Sequence, residues 1–372
     1  MTDTAYSDDI EGRARVRDND ELLAFYDELA GLGAGALWTV ANKIEPWEPV
    51  PHSVPHLWSY AKLRPYVLRS TELVRPEDAG RRVVMLLNPN RQDVAASVGW
   101  LYSGVQIMLA GEKASAHKHG ASALRWIIEG EGAYTIVDGE KARLGGNDFV
   151  ITPHGAWHEH GSEGTEGAVI WQDGLDIPLV NCLEANWYAV HPDLHQQLDG
   201  PVDRSPAAYV AAGVLPVDAE RWTRPYSPLL RYPWDRSYDA LVKAAGATAP
   251  SAVDGTVVRY CNPLTGGDVM PTMGAQLQRL EPGFHGAAHR HTGNSMVTVA
   301  KGSGYSIIGG RRFDWERNDI FCIPAWTWHE HHNGSDGDDA VLFSFDDRPT
   351  IRSLALFREQ LHPEGNQEVV AP

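Results

Sequence analysis

The sequence has little of what would place it in several large classes. Only three of its 372 residues are cysteines, Cys182, Cys261 and Cys322. An odd count without CxxC spacing argues against a disulfide framework or a cysteine-rich zinc site, and reduced thiols are the expectation. No run approaches the roughly 18 apolar residues of a membrane span, and Met1 to Asp20 is charged and lacks the apolar stretch of a signal peptide. A cytoplasmic protein with no membrane partner is expected. Basic residues are scarce as well: 32 Lys and Arg against 49 Asp and Glu give a net charge of −17, which repels a polyanion and removes the case for nucleic acid as a partner. Any small anionic ligand must therefore be drawn in by a local cluster of arginines, not by the overall field.

Glycine and proline are plentiful, 36 and 24 residues, which favours short strands and turns over long helices. The chain also repeats itself. Arg82 to Trp171 lies over Val257 to Phe345 through three anchors in the same order: Val83-Val84 with Asn88-Pro89 and Val257-Val258 with Asn262-Pro263; His117-Lys118-His119 and His289-Arg290-His291; Trp157-His158-Glu159-His160 and Trp328-His329-Glu330-His331. Between the anchors, β-formers end in glycine turns at Asp138-Gly139 and Gly309-Gly310. Bounded apolar runs follow at 149–153 and 320–324, with proline confined to their ends. Each half reads as a small antiparallel barrel or sandwich. Residues 1–80 are expected to form a helical and extended arm, with a helix near Asn19 to Leu29; 81–175 a first barrel; 176–255 a connector crossing both barrels, with a helix near Asp235 to Ala245; 256–350 a second barrel; and 351–372 a tail.

In a strand, residues i and i+2 share a face, so His117 and His119 point inward together if either does. His158, one strand, turn and returning strand later, can arrive opposite them. An isolated HxH is more often a pair of polar surface residues. Its recurrence with a later Trp-His-Glu-His in both halves, and the cost of burying so many histidines unpartnered, favour a metal; spacing alone leaves zinc, iron, copper and nickel open.

These motifs resemble those of the cupin superfamily, whose two short signatures are matched by Gly111, His117, His119 and Gly130 and by Pro153, Gly155 and His158. The glutamate that many cupins add as a fourth ligand would fall at Ala123, and neither Ala123 nor Leu124 can ligate. Three neutral histidines would leave about three positions open on an octahedral ion. Gly-Ala-Leu-Trp-Thr at 35–39, Trp171-Gln172-Asp173-Gly174-Leu175-Asp176 and Ala116-His-Lys-His119 sharpen the likeness to gentisate 1,2-dioxygenases, whose relatives act on salicylate or 1-hydroxy-2-naphthoate. The resemblance covers 15–360. It implies an all-β-dominated bicupin, two double-stranded β-helix (jelly-roll) barrels with flanking helices. It further implies a homotetramer with one Fe(2+) per chain in the N-terminal cupin, and a small aromatic hydroxy-carboxylate substrate with O2. That ion would bind the carboxylate and neighbouring hydroxyl, and the ring would open between the carbons bearing them; gentisate would give maleylpyruvate.

Carried over by position, Arg125 and Arg81 are candidates for holding the substrate carboxylate, which arginine can grip through two N–H donors. Gln106 and His160 would line the pocket, with His160 and Arg125 in catalytic roles and His160 placed to move a proton by a titration near neutrality. Tyr102, Gly104 and Gln106 share a strand face and would shape the pocket floor, Gly104 widening it; Asp173 would orient a neighbour. Each carries a plainer alternative: a core tyrosine, a surface arginine beside Arg82, a structural histidine. In the second half, His289, His291 and His329 keep the ligand spacing, with Ser295 at the glutamate position. The resemblance places iron in the first barrel, and Trp326, standing where Gly155 stands, is expected to crowd the second site and leave it empty or weakly occupied. Competing readings are an oxygen-independent isomerase, hydrolase or decarboxylase, and a binding or storage bicupin.

Overall fold

The alternating strands of each half pair antiparallel into two facing sheets, and the computed structural model describes them within residues 16–370, apart from 165, 166, 210 and 212. In the first half a six-stranded sheet runs in the order Arg231–Tyr232, Phe149–Thr152, Ala123–Glu129, Ala168–Leu175, Tyr102–Leu109, Val83–Met85. It faces a five-stranded sheet ordered Tyr188–Val190, Lys113–His119, His158–Ser162, Ala133–Val137, Glu140–Arg143. The second half repeats this. Its large sheet is His56–Trp58, Ile320–Ile323, Ser295–Lys301, Ala340–Asp346, Gly274–Leu280, Thr256–Arg259, and its small sheet Arg311–Glu316, Ser303–Ile308, His329–His332, His289–His291, Glu359–Leu361. Two jelly-roll barrels result.

Strand alternation divides the apolar residues between two jobs. On Ala123–Glu129, Leu124, Trp126 and Ile128 point out of the first barrel into a core shared with Phe343, Phe345 and Leu277 of the second. The Trp126 and Phe343 rings stack there with centroids 4.1 Å apart. The intervening Ile127 faces inward, packing with Met108, Val150 and Trp171, and Arg125 must then face inward too. The register that buries Trp126 between the barrels therefore delivers a charged side chain to the interior, and a one-residue slip would exchange the two.

The connector touches both barrels. Arg231–Tyr232 pairs with Val150 and Phe149, Tyr188–Val190 pairs with the HxH strand, and the helix Trp234–Ala247 packs on the strands Thr256–Arg259 and Gly274–Leu280 of the second barrel. The strand His56–Trp58 joins the second barrel by pairing with Ile320–Cys322. Residues 16–50 form a separate unit. Its helix, Asp20–Gly31, is capped by Asn19, whose side chain accepts from the Leu22 N–H at 2.9 Å. None of the helix's residues is buried.

Candidate metal centre

Lys113–His119 and His158–Ser162 are neighbours, and His117 pairs directly with His158. With His119 two residues along the same face, three imidazoles converge on the barrel interior. Each offers a ligand atom, all within 4.8 Å of one another, and the ring centroids are 5.5, 4.0 and 4.8 Å apart. Backbone carbonyls set the tautomers: Nδ1 of His117 donates to Ser115 O at 3.2 Å, that of His119 to Ala121 O at 2.8 Å, and that of His158 to Ala156 O at 3.0 Å. Every Nε2 is thereby left unprotonated, as a metal ion requires, and that of His117 accepts from Arg81 Nη2. Burial, reinforced by Arg81 and the neighbouring histidine, pulls His117 down to about 2, and burial pulls His119 down to about 4. Burial, with His117 and Arg125, holds His158 well below the ordinary imidazole range. All three are neutral at pH 7, and among the described residues no carboxylate joins the group. Ala123 is buried and inert, as its identity requires. The donor set fits a borderline divalent ion with several positions left over.

A cavity of about 560 Å³ opens on His119 and His158 and is walled by Arg81, Tyr102, Gln106, Arg125 and Asp173. Arg125, 3 % exposed, pairs through Nε with Asp173 at 3.3 Å and donates from Nη1 to Thr152 Oγ1 at 2.6 Å. Asp173 also accepts from Trp171 Nε1 at 3.0 Å. The Arg81 guanidinium lies against the His117 ring, so two cations border the metal-facing nitrogens inside a protein of net charge −17. Gly104 sits opposite Asp173 in the adjacent strand, where an added Cβ would stand 2.6 Å from Val83 Cγ1 and 2.9 Å from Tyr102 Oη, both on the cavity wall.

His160 does not reach that wall. It is 1 % exposed, its centroid 5.8 Å from His158 and 5.9 Å from Trp171, and neither ring nitrogen has a hydrogen-bond partner among the described residues. The expectation of a titration near neutrality is corrected here. Burial, with Arg125 and Arg81 close by, holds the imidazole well below its ordinary range, so it is a neutral hydrogen-bonding group at pH 7 and not an imidazolium acid.

Sequence reasoning missed the far rim. Ile177, Asn181, Asn186, Trp187 and Tyr188 of the connector line the same cavity, and Tyr188 stacks on His117 with centroids 5.3 Å apart. The run Glu184 to Tyr188 carries no periodic signal. The available clue was the sequence Asn186-Trp187-Tyr188, an aromatic pair in a segment otherwise read as spacer.

The second triad brings its imidazoles equally close. His289 pairs with His329, and His289, His291 and His329 are buried with ligand atoms within 4.8 Å of one another. Trp326 does not crowd them. Its ring lies 4.4 Å from the guanidinium of Arg290, which alternates with His289 and His291 and so occupies the opposite face of the strand.

Comparison with known proteins agrees with this geometry. The cupin domain family matches residues 104–178 and 276–346. The chain is 35% identical over 335 residues to gentisate 1,2 dioxygenase 1 of Aquipseudomonas alcaligenes, covering 90% of this chain and 95% of that protein. It is 34% identical over 347 residues to a 5-aminosalicylate 1,2-dioxygenase of Comamonas sp, covering 92% and 91%. A crystal structure of salicylate 1,2-dioxygenase from Pseudoaminobacter salicylatoxidans, with gentisate, superposes with a TM-score of 0.87 at 27% identity, covering 94% of this chain and 96% of the other.

Proposed function

The chain belongs to the bicupin family of ring-cleaving dioxygenases that includes gentisate, 5-aminosalicylate and salicylate 1,2-dioxygenases, and from that membership we propose that it is an Fe(II)-dependent gentisate 1,2-dioxygenase yielding maleylpyruvate. The observation that carries this reading is the convergence of three neutral imidazoles, with no fourth protein ligand among the described residues, beside a cavity bordered by two arginines. Ferrous iron held by His117, His119 and His158 would supply the redox centre at which ring and O2 meet. A 2-hydroxy-carboxylate needs a cation for its carboxylate and room beside the metal for its hydroxyl. Arg125, already oriented by Asp173 and Thr152, is preorganised to accept the carboxylate, and Arg81 supplies a second positive charge. Gln106 on the wall donates or accepts toward the ring substituents. Tyr102 and Gly104 set the floor on which the ring lies. His160, buried and unpartnered behind His158, does not line the cavity and acts as a neutral positioning group beside that ligand.

Salicylate and 1-hydroxy-2-naphthoate are the alternative substrates, favoured by the missing side chain at Gly104. The assembly is proposed to be a homotetramer. Exposed Leu23, Phe25 and Leu32 on and just after the first helix, and Leu183 and Leu194 in the connector, supply apolar surface for subunit contacts. No described helix is long and apolar enough to cross a membrane, and the three cysteines are free, in keeping with a cytoplasmic enzyme. An oxygen electrode tests the reading. Anaerobically prepared, iron-loaded protein should consume O2 on addition of gentisate; no uptake with gentisate, salicylate or 1-hydroxy-2-naphthoate would remove it, and turnover without O2 would select an isomerase or hydrolase instead.

A further inference from the structure

His119 is turned by the short loop that follows it, and each of the three residues of that loop is tied to a different group. Ala121 O accepts from His119 Nδ1 at 2.8 Å, Gly120 O accepts from His154 Nδ1 at 2.7 Å, and the Ser122 N–H donates to Asp176 Oδ1 at 2.7 Å. The Gly155 N–H adds a bond to His119 O at 3.0 Å. Asp176 is fully buried, and its second oxygen reaches out of the first barrel. Oδ2 accepts from the hydroxyl of Thr272, in the turn that leads into the strand Gly274–Leu280 of the second barrel. Thr272 Oγ1 also stands 3.4 Å from His154 Nε2. One hydroxyl of the second barrel therefore meets both side chains that restrain the loop carrying the Ala121 carbonyl. Thr272 is itself fixed, between Met270 and Met273 buried in the core shared by the two barrels, and its carbonyl accepts from Thr350 Oγ1 at 3.1 Å.

The second barrel does not repeat this link. Asp347 corresponds to Asp176, each preceding a short helix that opens with a proline in its second position. Asn294 corresponds to Ser122, three residues beyond the second histidine of HxH. There the loop closes on itself, because Asn294 gives Asp347 both its backbone N–H and its side-chain Nδ2, each at 2.7 Å. Serine is too short to do the same. Ser122 Oγ is buried with no hydrogen-bond partner among the described residues, and Asp176 Oδ2 takes its donor from the other barrel instead. A buried carboxylate left short of a donor is costly, so this hydroxyl constrains where Asp176 and its loop can sit.

We propose that Thr272 and Asp176 are positioning residues for the metal centre: the second barrel, through the Thr272 hydroxyl, holds Asp176 and the 120–122 loop so that the His119 ring stays in register with those of His117 and His158. Thr272 lies outside the cavity lining, and it acts on the metal only through the orientation of a ligand, as outer groups do in metal sites generally. The inference rests on His117, His119 and His158 holding iron, and it is independent of which ring is opened.

The test is iron release. Iron-loaded, full-length protein is challenged anaerobically with excess ferrozine, and the coloured ferrous complex is followed in time; the phase that belongs to the first barrel is the one missing from His158→Ala. Thr272→Val removes the hydroxyl and keeps the shape, and this phase should run roughly 10–100-fold faster than in wild type. Thr272→Ser restores the hydroxyl and should return the phase to the wild-type rate. Asp176→Asn, a second probe of the same contact should Thr272→Val fold poorly, should accelerate that phase alone. A merely structural contact would lower the urea midpoint of metal-free Thr272→Val without touching release from the folded protein. Wild-type release in Thr272→Val or in Asp176→Asn, or no recovery in Thr272→Ser, would overturn the proposal, and a release profile unaltered in His158→Ala would overturn the metal centre with it. The expected release rates without any gentisate-dependent O2 uptake would remove the proposed reaction and leave this inference standing.

Discussion

Truncating Arg125 separates substrate binding from folding in a way the structure makes calculable. Arg125→Ala removes a nearly fully buried guanidinium and strands Asp173, 4 % exposed, whose remaining side-chain donor is Trp171 Nε1 at 3.0 Å. Breaking one side of a buried pair costs about 3–5 kcal/mol, so the single variant should unfold at distinctly lower urea concentration for reasons unrelated to substrate. The substrate effect is smaller: losing a charge-assisted hydrogen bond to a carboxylate costs about 1.5–3 kcal/mol, roughly a 10–150-fold rise in Kd. Adding Asp173→Asn distinguishes the two. Arg125→Ala/Asp173→Asn no longer buries an unpaired charge, so most of the stability should return while gentisate affinity, measured anaerobically by calorimetry on iron-loaded protein, stays weak. Iron content should equal that of wild type in both variants, because neither residue donates to the histidines. Recovery of gentisate affinity in the double variant, or unchanged affinity in the single one, would refute the assignment of Arg125 to the substrate carboxylate.

Further outcomes follow from the same geometry. His119→Ala leaves two imidazoles and should abolish iron retention in the first barrel, checked by metal analysis after desalting; undiminished O2 uptake would mean the site is misplaced. Gly104→Ala puts a methyl 2.6 Å from Val83 Cγ1 and 3.2 Å from the fixed carbonyl of Val84, so kcat/KM for bicyclic 1-hydroxy-2-naphthoate should fall roughly 10–200-fold further than for gentisate, and an unchanged ratio would contradict the role of Gly104. Folded His119 is depressed to about 4, below the roughly 6.5 of an unfolded histidine. The unfolded chain then binds more protons as pH falls, and the urea midpoint of metal-free protein should drop progressively between pH 6.5 and 4; a flat profile would contradict the buried neutral triad.

Much of this was legible before any coordinates. The repeat announced two barrels because each anchor sits at a structurally obligatory place: Asn88 supplies side-chain hydrogen bonds to the backbone of Val54 and Ser97, the HxH strands carry ligands on one face, and Pro153 and Pro324 end strands. Period-two alternation was enough to turn His117 and His119, or Tyr102, Gly104 and Gln106, to a common side. What the sequence could not show was long-range. The strands His56–Trp58 and Tyr188–Val190 are three residues long, too short to carry a pattern, and are fixed only by the edges they complete. Tyr188 and Trp187 reach the cavity through that pairing. The buried state of His160 likewise depends on Trp171 and Arg125 arriving from other strands, and composition near His160 gives no sign of either.

The central claim is that three neutral imidazoles hold one redox-active ion while a hydroxy-carboxylate and O2 meet beside it. Mass spectrometry of the ring-opened product formed under 18O2 tests it most directly. The account predicts that both labelled atoms enter a single product molecule of gentisate, and that His158→Ala forms none; product carrying oxygen from water alone, or formed equally without O2, would contradict it.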